Sequence, residues 1–405
     1  MRAASHIVGT TTSLISSTRP ILHRSGSYWA SSSTIAPNWE IFSALVHRQA
    51  AAGRGKLSDS MEAIRNTVAE NFGGEAQSVA THQFSLDQVP DLTGKIAVVT
   101  GGSEGIGYGC THTLLKHNIA KVYILSLSEE VVKGAKGAVG KELGQEAANR
   151  TKWMFCDLSD WERVKEVAEE IRNDADRLDI LLNNAARGIM TYQLTDFGVD
   201  RHMAVNHMGH VILTSYLLPL MKQTAQNGDI VRIVNQSSNA HQAAPNNTRF
   251  ESLEELNHDL GPNGQYGRSK LAGILYARYF TRKVTKAGYS RVLMNATHPG
   301  IVSTKMSRED IFEPFPLGGY AMAVGMEPFK KDQFQGAVST MFAGTYTQES
   351  GQYICPPAVP ETGSKLSQDD ELADNLMDLT WKVMMEKTRD GLATNRYSLD
   401  DLVVY

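Results

Sequence analysis

The sequence predicts an α/β protein, a doubly wound parallel sheet of about seven strands with helices on both faces. Two observations carry that expectation. Between about residues 91 and 365, short β-branched apolar runs alternate with helical segments. Such alternation implies parallel strands joined by right-handed crossovers and covered on both faces. Secondly, clusters of glycine or polar residues stand directly after the apolar runs. That is where a sheet of this kind keeps its ligand crevice, outside the carboxyl ends of the strands.

The first strand is KIAVVT (95–100), a β-branched run that ends in glycines, and GIGYGCTHTLLKH follows it as a helix. KVYILSLS (121–128) is the second strand, with EEVVKGAKGAVGKEL as its helix. TKWMFCDL (151–158), LDILLNNA (178–185), DIVRIVNQSS (229–238), VLMNATHPG (292–300) and GQYICPP (351–357) supply five more strands, with helical segments between them. The longest apolar run, HVILTSYLLPLM (210–221), is too short to span a bilayer and reads as a core helix.

The flanks differ. Residues 1–39 carry Arg2, Arg19 and Arg24, no acidic residue, and many serines and threonines. That is the composition of a mitochondrial transit peptide; a disordered segment in a cytoplasmic protein is the alternative. Residues 40–90 read as a helical lead-in, 91–365 as the α/β domain, and 366–405 as a C-terminal helix with a polar tail. A net charge of -4 gives no reason to expect nucleic acid as a partner. Three scattered cysteines, Cys110, Cys156 and Cys355, make neither a disulfide framework nor a zinc site.

After the first strand stands TGGSEGIG, whose Gly101, Gly105 and Gly107 allow a tight turn and a close approach of backbone to phosphate. The helix behind it offers free N–H groups and the positive end of its dipole. Asp157, after the third strand, could accept from an adenine amino group or belong to a helix N-cap. Asn183 and Asn184, after the fourth, could brace the sheet or hold a ribose. Ser237 and Ser238 follow the fifth strand, and His298-Pro299-Gly300 the sixth.

GQYGRSKLAG (264–273) puts Tyr266 and Lys270 one helical turn apart, and Tyr279 and Lys283 repeat that spacing further on. With 14 tyrosines in the chain, the spacing proves nothing by itself. A helix starting near Tyr266 places its early turns beside the crevice, whereas Tyr279 stands about 20 Å further along on another face. Tyr266 is therefore the candidate. A phenol is a poor base at neutral pH, and a lysine on the same helix face should favour its phenolate. Ser238 can stabilise charge on the same substrate oxygen. Proton transfer at oxygen beside a nicotinamide is the chemistry of hydride transfer at a carbon–oxygen bond.

These residues, in this order, resemble the short-chain dehydrogenase/reductase family over about residues 91–365, most nearly its retinol-dehydrogenase-like branch, which includes the WW-domain oxidoreductases. The branch shares VNxSSxAH after the fifth strand and a long polar insert before YxxSK. The resemblance implies a Rossmann-type fold and a catalytic set of Asn206, Ser238, Tyr266 and Lys270, with Asn206 supporting a proton relay to the lysine. It implies cofactor contacts from Gly101, Ser103, Gly105, Ile106 and Gly107 in the loop, and from Ser126 and Ser128 after the second strand. Asp157 and Leu158, Asn184 and Ala185, and Tyr266 and Lys270 continue the list, and Pro299, Gly300, Val302 and Thr304 close it. The sequence departs from the family at Ala186, where glycine is usual, and it lacks the apolar N-terminal helix of membrane-anchored members.

No acidic residue or arginine stands at the end of the second strand, where SLS (126–128) is found. This favours NADP(H) over NAD(H), with Glu129 and Glu130 starting a helix and facing solvent. Segment 303–330, rich in methionine and aromatics, is expected to form a lid or a packed helix pair. Apolar outer positions such as Leu271, Ile274 and Leu275 suggest the homodimer or homotetramer common in the family. The substrate is expected to be an apolar carbonyl or alcohol, the alternative being a non-catalytic dinucleotide sensor or scaffold.

Overall fold

The computed structural model describes residues 84–300, 302 and 332–388. Eight strands form one sheet in the order β3-β2-β1-β4-β5-β6-β7-β8. They are β1 (Ile96–Thr100), β2 (Lys121–Ser126), β3 (Thr151–Phe155), β4 (Ile180–Asn183), β5 (Val231–Gln236), β6 (Val292–Thr297), β7 (Tyr353–Cys355) and β8 (Val359–Glu361). Pairing is parallel from β3 through to β7. The expected seven strands are all present. The eighth pairs antiparallel with β7, Ile354 opposite Pro360, and is too short to announce itself in sequence. After β3 the chain crosses to the far side of β1, so strand order reverses between β1 and β4. The ligand crevice of such a sheet lies at that point.

Helices α1 (Gly105–Lys116), α2 (Glu129–Glu142), α3 (Trp161–Asp174), α4 (Gly209–Gln226), α5 (Gly261–Phe280), α6 (Gln333–Thr345) and α7 (Asp370–Lys387) cover the two faces. Alternation along the strands sorts the core. Val98, Tyr123, Leu125, Leu181, Ile233 and Met294 face α3, α4, α5 and α7. Ala97, Val99, Val122, Ile124, Leu182 and Val234 face α1, α2 and α6. A strand buried on both faces reads as a continuous apolar run, as IAVVT does. The run 210–221 is the buried core helix expected of it, within α4. Among the described residues no helix is long and apolar enough to cross a membrane, and no cluster of side chains could hold a metal ion.

One expectation is corrected. Leu271, Ile274 and Leu275 are not outer positions but lie in the core, 0%, 3% and 0% exposed. The chain's own α7 packs along α5, burying Leu372, Leu376, Met377 and Val383, and Arg278 and Arg282 bind Asp370 and Asp374 at its edge. Those three positions are thus taken up by the chain's own core. Segment 303–330, with its expected lid, lies outside the described residues.

Candidate active site

The loop after β1 needs its glycines for different reasons. Gly101 and Gly105 adopt φ of +64° and +50°, the left-handed region that other residues avoid. At Gly107 an added Cβ would collide with the Gly101 carbonyl and come within 2.6 Å of Asn184 Nδ2. The start of α1 has no side-chain cap, so its first N–H groups face the crevice unsatisfied by the chain's own side chains. Ser103 is buried beside this turn. GGSEG (101–105) also has the GxSxG spacing of a hydrolase elbow, yet among the described residues no histidine bonds the Ser103 hydroxyl. Ile106 and Val302 converge on Gly336 of α6, where a Cβ would stand 3.2 and 2.7 Å from them.

The NNAA turn braces that loop. Thr100 Oγ1 accepts from the backbone N–H of Asn184 and of Ala185, both at 2.9 Å, and Asn184 Nδ2 donates to the Thr100 carbonyl. Asn183 donates to Thr214 and to Asn235 of β5, so the first asparagine is spent on the sheet. After β2, Ser126 Oγ accepts from Trp153 Nε1 and Ser128 Oγ caps α2 by accepting from Val131 N. Glu129 and Glu130 are exposed, and Glu129 pairs with Lys133 at 3.0 Å. After β3, Asp157 Oδ1 accepts from the backbone and hydroxyl of Ser159, while the N-cap of α3 is Asp160. Leu158 is buried against Gly209 at the start of α4.

Asn206 lies in a π-turn, Ala204–Met208, that leads into α4. Its side chain accepts from Arg187 N at 2.7 Å and donates to Arg187 O and to Ser269 Oγ. Its amide therefore ties the loop after β4 to α5. His210, one turn on, lies between the Asn206 carbonyl (3.3 Å) and Thr100 Oγ1 (3.0 Å), and burial pulls its pKa down to about 3.

Helix α5 begins at Gly261, five residues before Tyr266, so Tyr266 sits in its second turn. Lys270 Nζ stands 5.4 Å from the Tyr266 ring centre and donates to the Gln236 carbonyl at 2.8 Å. Ser237 Oγ donates to the Lys270 carbonyl, and Ser238, whose Oγ donates to Asn239 Oδ1 at 3.2 Å, stands close enough to the Tyr266 hydroxyl to influence its titration. Burial pushes the Tyr266 phenol up to about 12, against a smaller downward pull from Ser238. Burial likewise pulls Lys270 down to about 7. The expected acidification of the phenol by the lysine is thus outweighed, because the lysine is itself desolvated. Pro299 is buried after β6, and Gly300 turns with φ +78°. Thr304 lies outside the described residues.

The described members of the sequence-predicted set thus lie towards one end of the sheet, after the strands. Thr100, Gln236 and His210 were missed. Nothing in the sequence distinguishes a threonine or glutamine that ends a strand from its neighbours, and the histidine's partners come from distant segments. A cleft of about 900 Å³ between Arg249 and Lys365 borders His241, but none of Ser238, Tyr266 and Lys270 lines it.

Residues 95–250 match the family model described as short chain dehydrogenase. The chain is 59% identical over 349 residues to a Neurospora crassa protein named as an oxidoreductase, bli-4, of mitochondria, with 85% of each chain covered. It is 32% identical over 268 residues to retinol dehydrogenase 12 of Bos taurus, covering 62% of this chain and 80% of that one. A solved structure from Mycobacterium paratuberculosis shares the fold with a TM-score of 0.56 and 23% identity, covering 75% of this chain and 97% of that one.

Proposed function

Because the chain belongs to the short-chain dehydrogenase/reductase family, we propose that it reduces the carbonyl of an apolar small molecule, with Tyr266 giving up the proton. It is a nicotinamide-dinucleotide-dependent oxidoreductase. The residues fit that cofactor: a glycine loop with no room for a Cβ faces an uncapped helix N-terminus. When bound, the dinucleotide supplies the hydride. Gly101, Gly105, Gly107 and the first turn of α1 would hold its phosphates; Asp157, Asn184 and Ala185 lie where its adenosine and ribose run. Pro299, Gly300 and Val302 lie where its nicotinamide end runs.

The observation that carries this reading is the convergence of Ser238, Tyr266 and Lys270 at the carboxyl end of β5. With its pKa pushed up to about 12, Tyr266 holds its proton at neutral pH and enters as the acid. Oxygen charge developing on the substrate is more basic than a phenolate and takes that proton. Ser238 donates a hydrogen bond to the same oxygen. Lys270, poised near pH 7, can place positive charge beside the phenolate as it forms. Asn206 holds the loop after β4 against α5, keeping the relay in register. Cofactor oxidation with a carbonyl panel tests this. Turnover must depend on Tyr266, and turnover that survives Tyr266→Phe overturns the reading.

We read the cofactor as NADP(H) in preference to NAD(H). The Ser126 and Ser128 oxygens accept their own hydrogen bonds, which leaves both hydroxyl protons available to a 2′-phosphate. No carboxylate ends β2, and Glu129 is drawn to Lys133. kcat/KM with each cofactor decides it; a clear preference for NAD(H) would mean that Glu129 or Glu130 turns inward. The composition of residues 1–39 and the mitochondrial name of the Neurospora relative support a mitochondrial location.

A further inference from the structure

Ser238 and Asn206 each have a buried histidine close by in sequence, and each histidine reaches into the C-terminal segment. His241, 1% exposed, stands three residues after Ser238. Its Nδ1 lies 2.8 Å from the Ser238 carbonyl and its Nε2 lies 3.0 Å from the backbone N of Ser364. A carbonyl can only accept and an N–H can only donate, so the partners fix the tautomer: Nδ1 carries the hydrogen and Nε2 is the acceptor. The ring is clamped edge-on against Tyr353, with centroids 5.1 Å apart. The strap that brings Ser364 here fits closely. At Gly363, φ +72°, a Cβ would come within 2.5 Å of Ser367 Oγ and 3.4 Å of His241 Nε2.

His207, also 1% exposed, is the residue after Asn206 in the π-turn. Its Nε2 lies 2.9 Å from Thr380 Oγ1 in the middle of α7. Thr380 gives its own proton to the Leu376 carbonyl at 2.7 Å, so the histidine is the donor in the second contact. The His207–Thr380 contact is buried, so breaking it leaves a polar group unsatisfied, whereas the His241–Ser364 contact is half-buried at the edge of the cleft.

We infer that the C-terminal segment 363–388 is a positioning element of the reactive centre: it holds Ser238 through His241 and Asn206 through His207. The histidines touch no reacting atom. They fix the backbone from which the serine hydroxyl and the asparagine amide project, and small displacements there are costly for turnover. This rests on the roles proposed above for Ser238 and Asn206.

The test uses the full chain, and its first two variants leave the reacting residues and both histidines in place. Thr380→Val removes the α7 hydroxyl at nearly constant volume, and Ser364→Pro removes the N–H that His241 accepts. Each is expected to lower kcat about 10-fold, with KM for the dinucleotide within about twofold, because the glycine loop is untouched. Thr380→Ser keeps the hydroxyl and should restore kcat. Should Ser364→Pro fail to fold, His241→Asn severs the same strap contact from the other side while keeping a donor for Ser238. Variants that melt earlier but keep wild-type kcat would show the segment to be mere structural support, and would overturn the inference. Tyr266→Phe is run alongside. If it stays active, the reading of the reactive centre fails; if it is dead while Thr380→Val is fully active, only the present inference fails.

Discussion

Helix α5 carries two tyrosine–lysine pairs of identical spacing and nearly identical geometry. Lys270 Nζ lies 5.4 Å from the Tyr266 ring centre and Lys283 Nζ 5.6 Å from that of Tyr279. What surrounds them differs. Lys270 is 4% exposed, hydrogen-bonded to a strand-end carbonyl, and pulled down to about 7 by burial. The Lys283 side chain is 43% exposed and 4.0 Å from Asp374. Tyr266 has Ser238 near its hydroxyl and lies at the crevice, whereas Tyr279 is packed against α7 with Arg282 close to its ring. A local pair of side chains becomes a reactive pair only where the fold removes water from the lysine and leaves the phenol facing a substrate.

The largest expected difference is in turnover. Tyr266→Phe should lower kcat about 10²- to 10⁴-fold, the usual contribution of a positioned acid, with cofactor affinity unchanged. Tyr279→Phe should leave kcat as it is. Equal losses in the two variants would break the comparison outright. Next come the lysines: steady-state kinetics should give about a 10²-fold loss for Lys270→Met and none for Lys283→Met.

The third difference is in stability against pH. Lys270 has a folded pKa of about 7, depressed from 10.5. Between those values the unfolded chain holds the extra proton, so this residue makes stability rise with pH across that window. Its cost to folding is fully present below about pH 7. Lys270→Met should remove that rise, raising Tm more at pH 6 than at pH 10. The smallest effect is expected at Asp374, which serves Arg282 and stands beside Lys283. Asp374→Ala should cost about 0.2–1 kcal/mol by denaturant melting, the range for exposed pairs, with turnover unchanged.

The strands, the glycine loop and the crevice were legible because each rests on a local pattern. A buried parallel strand is an apolar run, and a turn that must pass a phosphate needs glycine wherever it falls. Asp157 shows the limit of that reading. Its carboxylate lies after β3 as expected, yet the cap of α3 is Asp160, three residues on, because two acidic residues in one short loop look alike in sequence. The apolar residues of α5 show it more sharply. Leu271, Ile274 and Leu275 have the composition of an interface, and that they are buried in the chain's own core instead is decided by residues far away in sequence.

By itself, then, the sequence determined which segments become strands, which side chains stand at their carboxyl ends, and that a tyrosine, a lysine, a serine and an asparagine gather there. Only the tertiary structure decided which tyrosine–lysine pair is dry and which way the Tyr266 phenol shifts. It alone decided that α7 packs along α5, that His207 meets Thr380 of α7, and that His241 joins the Ser238 carbonyl to Ser364. The physical reason is one of range. Backbone conformation and periodicity are set by neighbours along the chain, whereas desolvation and hydrogen-bond partnership are set by whatever the fold brings alongside.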